Sequence, residues 1–158
     1  MTNKLDYDEY ILRRNRNAIL ALLIKVVLYV NSTLNFSAWL RIKIYKLAGV
    51  NILCVGGDPY IAREVIIDDN FPELVTIEDG AAIGWRVIFL CHNTLRDKKI
   101  VAPIVVKRKA MIGTGAIIMP GITIGEYATV GAGTVVTKDV PSHGTIRGPS
   151  PVIIPPAS

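Results

Sequence analysis

Aromatic residues make up only 7% of this 158-residue chain, although 51% of it is hydrophobic. An interior rich in Ile, Val and Ala but poor in rings is a narrow one. Charged residues are also scarce, at 20%, and so apolar a composition excludes intrinsic disorder as the main state. The two cysteines, Cys54 and Cys91, are too few for a disulfide framework and lack CxxC spacing. Neither a stapled secreted scaffold nor a zinc ribbon is suggested, and a reducing, cytoplasmic compartment is expected. With only His92 and His143 available, a three-histidine zinc site of the γ-carbonic-anhydrase type is excluded, and no metal is expected. No P-loop, GxGxxG or Ser-His-Asp pattern is present. The longest apolar run, residues 18–30 (AILALLIKVVLYV), is interrupted only by Lys25. It spans about 20 Å as a helix against the roughly 30 Å of a bilayer core, so it should not cross a membrane alone.

The length fits one domain with a short appendage. The net charge of +5 belongs to that appendage: residues 1–50 carry eight Lys/Arg and three Asp/Glu, and residues 51–158 carry ten of each sign. A nucleic-acid-binding surface on the main domain is therefore not expected. The appendage reads as helical, with a basic segment at 7–16, the apolar run at 18–30 and a second mixed stretch at 39–47 (WLRIKIYKL) closed by Gly49. Asp6, Asp8 and Glu9 spoil a secretory leader, and no A-x-A site follows Val30. Two readings stay open for residues 18–47: packing on the main domain or a neighbouring subunit, or peripheral attachment to an anionic membrane at its inner face.

The main domain is defined by a repeat. Ile or Val recurs every six residues at Val106, Ile112, Ile118, Ile124, Val130 and Val136, each followed four residues later by a small or branched partner such as Ala110, Ala116 or Ala128. The spacing reappears at Ile77, Ile83 and Phe89, and again at Val55, Ile61 and Ile67. The interruptions fall between groups of three. Three six-residue units return a chain to its starting edge about 4.8 Å higher, in register with the turn before. The expected architecture is thus an all-β, parallel β-helix of about four triangular coils. Gly84, Gly113, Gly125 and Gly131 mark its tight bends. The expected boundaries are a helical appendage at 1–50, the repeat domain at 51–148 and a tail at 149–158.

This hexapeptide pattern, above all residues 103–141 with the segment GAGTVVTKDVP, resembles the left-handed β-helix acyltransferases of the galactoside, maltose and polysaccharide O-acetyltransferase type. The resemblance runs from about residue 72 to 148. It implies a left-handed helix, a homotrimer, and acetyl-CoA held as co-substrate in a groove between neighbouring subunits.

His92 sits immediately before an insertion at residues 95–105, where a coil opens into a protruding loop. The resemblance makes it the general base that takes the acceptor hydroxyl's proton, a task suited to an imidazole. His143 reads as an ordinary turn residue. The resemblance also assigns Thr114, Ala132, Thr137 and Lys138 to the cofactor. Arg147 is the candidate for the adenosine phosphate, because Gly148 is not followed by the usual basic residue. Lys107, Arg108 and Lys109 are either an attraction for a polyanion or a solvated face. Asp68, Asn70 and Asn93, with the insertion, are the candidates for lining the acceptor site. The implied function is transfer of an acetyl group to a sugar or polysaccharide-precursor hydroxyl. Its rivals are a serine or nucleotide-sugar N-acyltransferase and a non-catalytic β-helix scaffold, which has no need of His92.

Overall fold

A computed structural model describes residues 18–33, 37–93 and 100–148. The expected helix at 7–16, the loop tip at 95–99 and the tail at 149–158 lie outside the described residues. Among the described residues, two helices, α1 (Ala18–Thr33) and α2 (Ala38–Leu47), precede fifteen short strands. Most strands hold two residues, the first turned outward and the second buried, as in β10 (Met111–Ile112) and β14 (Val135–Val136). Residues in so short a strand cannot hold it in place. Stacking does: Ile52 pairs with Ile77, Ile77 with Val106, and Val106 with Ile124 in one parallel sheet. Ile61, Ile83, Ile112 and Val130 form the same ladder in a second sheet, and Ile67, Phe89, Ile118 and Val136 in a third. β-branched side chains suit these ladders because each packs on a like neighbour above and below. Successive strands visit the three sheets in turn, so each sheet consists of crossovers.

The repeat is followed with one correction. Val55 is 91% exposed, and the inward position in its sheet is held by Ile52. The first circuit spends residues 53–59 on a longer connection, and a strict six-residue count carried backward from Ile61 lands on that loop. The bend glycines also have a specific cause. A Cβ on Gly113 would lie 2.5 Å from the backbone nitrogen of Ala132, and one on Gly84 2.7 Å from that of Thr114. Glycine is there because the next turn's backbone passes too close for any side chain. The left-handed φ positions fall two residues later, where Arg86 and Gly115 share one column, and at another corner Lys109, Tyr127 and His143. His143 is accordingly a turn residue, its ring stacked on Tyr127 at 5.1 Å.

The first turn leaves carbonyl groups with no turn beyond them, and α2 covers this end. The buried Arg41 donates from Nη1 to the Ile61 carbonyl at 2.8 Å, and the Tyr45 hydroxyl donates to the Val65 carbonyl at 2.9 Å. Buried backbone acceptors are costly when unpaired, so these two side chains do for the edge what another coil would do. Helix α1 packs on α2 and on β3 (Ile66–Ile67), with Leu28 and Asn31 buried.

Candidate active site

His92 begins β7 (His92–Asn93), which pairs antiparallel with β8 (Ile100–Val101). This two-stranded hairpin is the root of the insertion, and it leaves the parallel stack just where the ring emerges. One turn below, Asp68 follows Ile67 as Leu90 follows Phe89, and its own N–H bonds the Phe89 carbonyl at 3.0 Å. Its side chain is 1% exposed and lies 2.5 Å, through Oδ2, from His92 Nδ1. The same oxygen accepts the Cys91 N–H at 2.9 Å, and Oδ1 accepts the Asn70 N–H at 3.0 Å. A carboxylate held by two backbone donors cannot swing away. It fixes Nδ1 as the donor, and Nε2 is then the nitrogen with a free lone pair. Phe71 meets the imidazole edge-on at 5.3 Å and completes its seat. The ring remains 26% exposed.

His92 opens on a cavity of about 750 Å³. Its floor is the outer face of the third sheet at Ile66 and Ile88, and one wall is α1, through Lys25, Leu28 and Tyr29. At the rim the Arg86 guanidinium donates to Glu64 at 2.8 Å, and Lys25 pairs with Asp69 at 3.7 Å. Cys91 is next to His92 in sequence, but burial, and then the charges of Asp68 and Glu73, push its thiol well above the ordinary range. It stays protonated and is no nucleophile. Among the described residues no group of three His, Cys, Asp or Glu side chains could hold a metal ion.

The expected site residues divide between two corners. His92, Asn93, Thr137 and Lys138 follow strands of the third sheet. Thr114, Ala132 and Arg147 follow strands of the second, where the Gly133 N–H bonds the Thr114 carbonyl at 2.8 Å. The cavity runs between the two corners from His92 to Gly115, the neighbour of Thr114. Ala132, Thr137, Lys138 and Arg147 are exposed on later turns and do not line it. Asp68, a candidate for lining the acceptor site, borders the cavity with its carboxylate buried against His92, and the Asn70 N–H bonds that carboxylate. The basic run is engaged along the stack: Lys107 pairs with Glu78 and Arg108 with Glu126, each at 3.2 Å. The Glu64–Arg86 pair and the contribution of α1 were not foreseen. Register holds the signal for the first, since Glu64 and Arg86 occupy equivalent positions on successive turns.

Three stacked parallel sheets of six-residue units are the architecture of hexapeptide-repeat proteins, and known proteins agree. Residues 103–138 match the family described as bacterial transferase hexapeptide (six repeats). A protein of Staphylococcus aureus (strain MSSA476) that carries an acetyltransferase name is 42% identical over 110 residues, covering 69% of this chain and 66% of that one. The galactoside O-acetyltransferase of Escherichia coli (strain K12) is 32% identical over 124 residues, covering 74% of this chain and 60% of that enzyme. The chain thus spans somewhat less than two thirds of the length of these relatives. Among solved structures, a hexapeptide-repeat acetyltransferase of Vibrio cholerae complexed with acetyl coenzyme A superposes with a TM-score of 0.66 at 21% identity, covering 82% of each chain. The fold shared with it is the left-handed parallel β-helix. The chain belongs to the hexapeptide-repeat acyltransferase family.

Proposed function

We propose that this protein is an acetyl-CoA-dependent O-acetyltransferase acting on a carbohydrate hydroxyl, with His92 as general base. The observation that carries the reading is the Asp68–His92 pair, buried at the acid and open to the cavity at the imidazole. His92 Nε2 takes the proton of the acceptor hydroxyl as its oxygen attacks the thioester carbonyl carbon. The carbon–sulfur bond then breaks, and the departing thiolate recovers the proton from the imidazolium. Asp68 stabilises that cation between the two transfers. The names of the relatives support this choice, one being a galactoside O-acetyltransferase and one fold neighbour having been solved with acetyl coenzyme A.

The wall on the Thr114 side is suited to the donor. Added Cβ atoms on Gly115 and Gly133 would meet nothing within 4 Å, so backbone lies bare beside Thr114 and Ala132. A pantetheine arm can run along such a surface, with Thr137, Lys138 and Arg147 toward the nucleotide. Because Ala132, Thr137, Lys138 and Arg147 lie on turns beyond the cavity, we assign the complete site to a homotrimer in which a second subunit closes the groove. Cytoplasmic placement belongs to the same reading. The test is release of free thiol from acetyl-CoA across mono- and oligosaccharides, with serine and nucleotide-sugar amines in parallel. Turnover only with a hydroxyl acceptor supports the reading, turnover only with an amine replaces it by N-acylation, and no thiol release with any acceptor favours the scaffold.

A further inference from the structure

We propose that the outer face of α1 and α2 seats this protein on an anionic lipid bilayer, independently of what the His92 cavity acetylates. On α1, Leu22, Leu23 and Val26 are 63%, 55% and 51% exposed, and on α2 Leu47 is 84% exposed. Between the helices runs a groove of about 400 Å³ lined entirely by aliphatic side chains, among them Val27 and Val30 of α1 and Ile44 of α2. A monomer rarely leaves so contiguous an apolar surface in water without a use for it.

Charge identifies the occupant. From Tyr10 to Gly57 the sequence contains no Asp or Glu, and every charged residue there is Lys or Arg. Of those on the described helices, Arg41 is spent inside on the Ile61 carbonyl and Lys25 turns to the cavity side, paired with Asp69, which leaves Lys43 and Lys46 exposed beside the apolar face. A second copy of the same face would set lysine against lysine, whereas an anionic headgroup layer complements all of them. The Lys43 ammonium lies 3.7 Å over the exposed Trp39 ring, which joins a cation to the side chain best suited to the boundary between headgroups and acyl chains. No described helix is long and apolar enough to cross a membrane. The helices therefore lie in the plane of the interface. The opposite side of α1 lines the His92 cavity through Lys25 and Leu28, so docking sets that cavity about one helix diameter, roughly 10 Å, from the lipid surface.

The test is co-sedimentation of the full chain with vesicles of phosphatidylcholine alone and of phosphatidylcholine with phosphatidylglycerol, at about 0.1 M and about 1 M salt, where the screening length falls from about 10 to about 3 Å. Binding to the anionic vesicles that weakens at high salt is expected. The double substitution Leu22→Glu, Val26→Glu should reduce it at least tenfold, at unchanged far-ultraviolet circular dichroism. Should that variant fail to fold, quenching of tryptophan fluorescence by lipids with brominated chains takes its place, expected in the wild type and lost in Trp39→Phe. Failure to bind either vesicle, whether another copy or another segment of the chain covers the face, overturns the proposal. So does a folded double variant that binds as the wild type does, or quenching that survives Trp39→Phe.

Discussion

Asp68 and His92 meet because they stand at the same corner on successive turns, with the carboxylate buried and the imidazole at its rim, 2.5 Å apart. Nothing in the chain between them needs to bring them together. The stacking register does so, and the two backbone N–H groups of Asn70 and Cys91 then fix the acid in place.

Asp68→Asn should leave the ring in place and remove the charge that stabilises its protonated form. Turnover should fall by about 10² to 10⁴, with the KM for acetyl-CoA little changed. Steady-state kinetics check this. Unaltered turnover would reduce Asp68 to a structural residue.

A methyl group at Gly113 has no room against the Ala132 backbone. Gly113→Ala should destabilise the fold by about 1 to 3 kcal/mol, as overpacking does, and so lower the melting temperature by several degrees. Calorimetry finding no change would contradict the close-approach explanation of the bend glycines.

How far the sequence carries is visible at four places. The ladders at Ile118 and Val136 were legible because each six-residue unit puts one side chain inward, and a fixed period is all that is needed to find it. Val55 was misplaced because the first circuit is longer, and period alone does not report where a loop absorbs residues. Asp68 is legible as a candidate beside the loop, but its bond to the imidazole joins two successive turns and is a tertiary contact that spacing does not encode. The helices themselves followed from their apolar runs, whereas the wall that α1 gives to the cavity depends on how it packs.

Stability should decline on the alkaline side. Burial raises the Cys91 thiol above its ordinary value of 9.0 and the Tyr45 phenol above 10.0. In the unfolded chain both lose their protons first. Their contribution is therefore complete below about pH 9 and is lost progressively as pH rises toward the folded-state values. Denaturant melts between pH 8 and 11 should show this slope, made shallower by Cys91→Ala or Tyr45→Phe. The second variant should also cost about 1 to 3 kcal/mol at neutral pH by stranding the Val65 carbonyl. A slope unchanged from the wild type in both variants would contradict the assignment.

Lys138 stands exposed on a turn beyond the His92 cavity. Lys138→Ala should weaken coenzyme A binding severalfold by calorimetric titration and leave the melting temperature unchanged. His143→Ala, at a turn far along the stack, should alter neither. If the two variants bind coenzyme A equally well, the donor lies elsewhere.

The most direct measurement is the rate of thiol release from acetyl-CoA with a turned-over saccharide, compared between the wild type and His92→Ala. Removing the imidazole deletes the proton acceptor while the stacked Ile and Val ladders remain. The account predicts a fall in turnover of about 10² to 10⁴, with coenzyme A affinity and melting temperature essentially kept. A His92→Ala enzyme that turns over the same acceptor at the wild-type rate would contradict it.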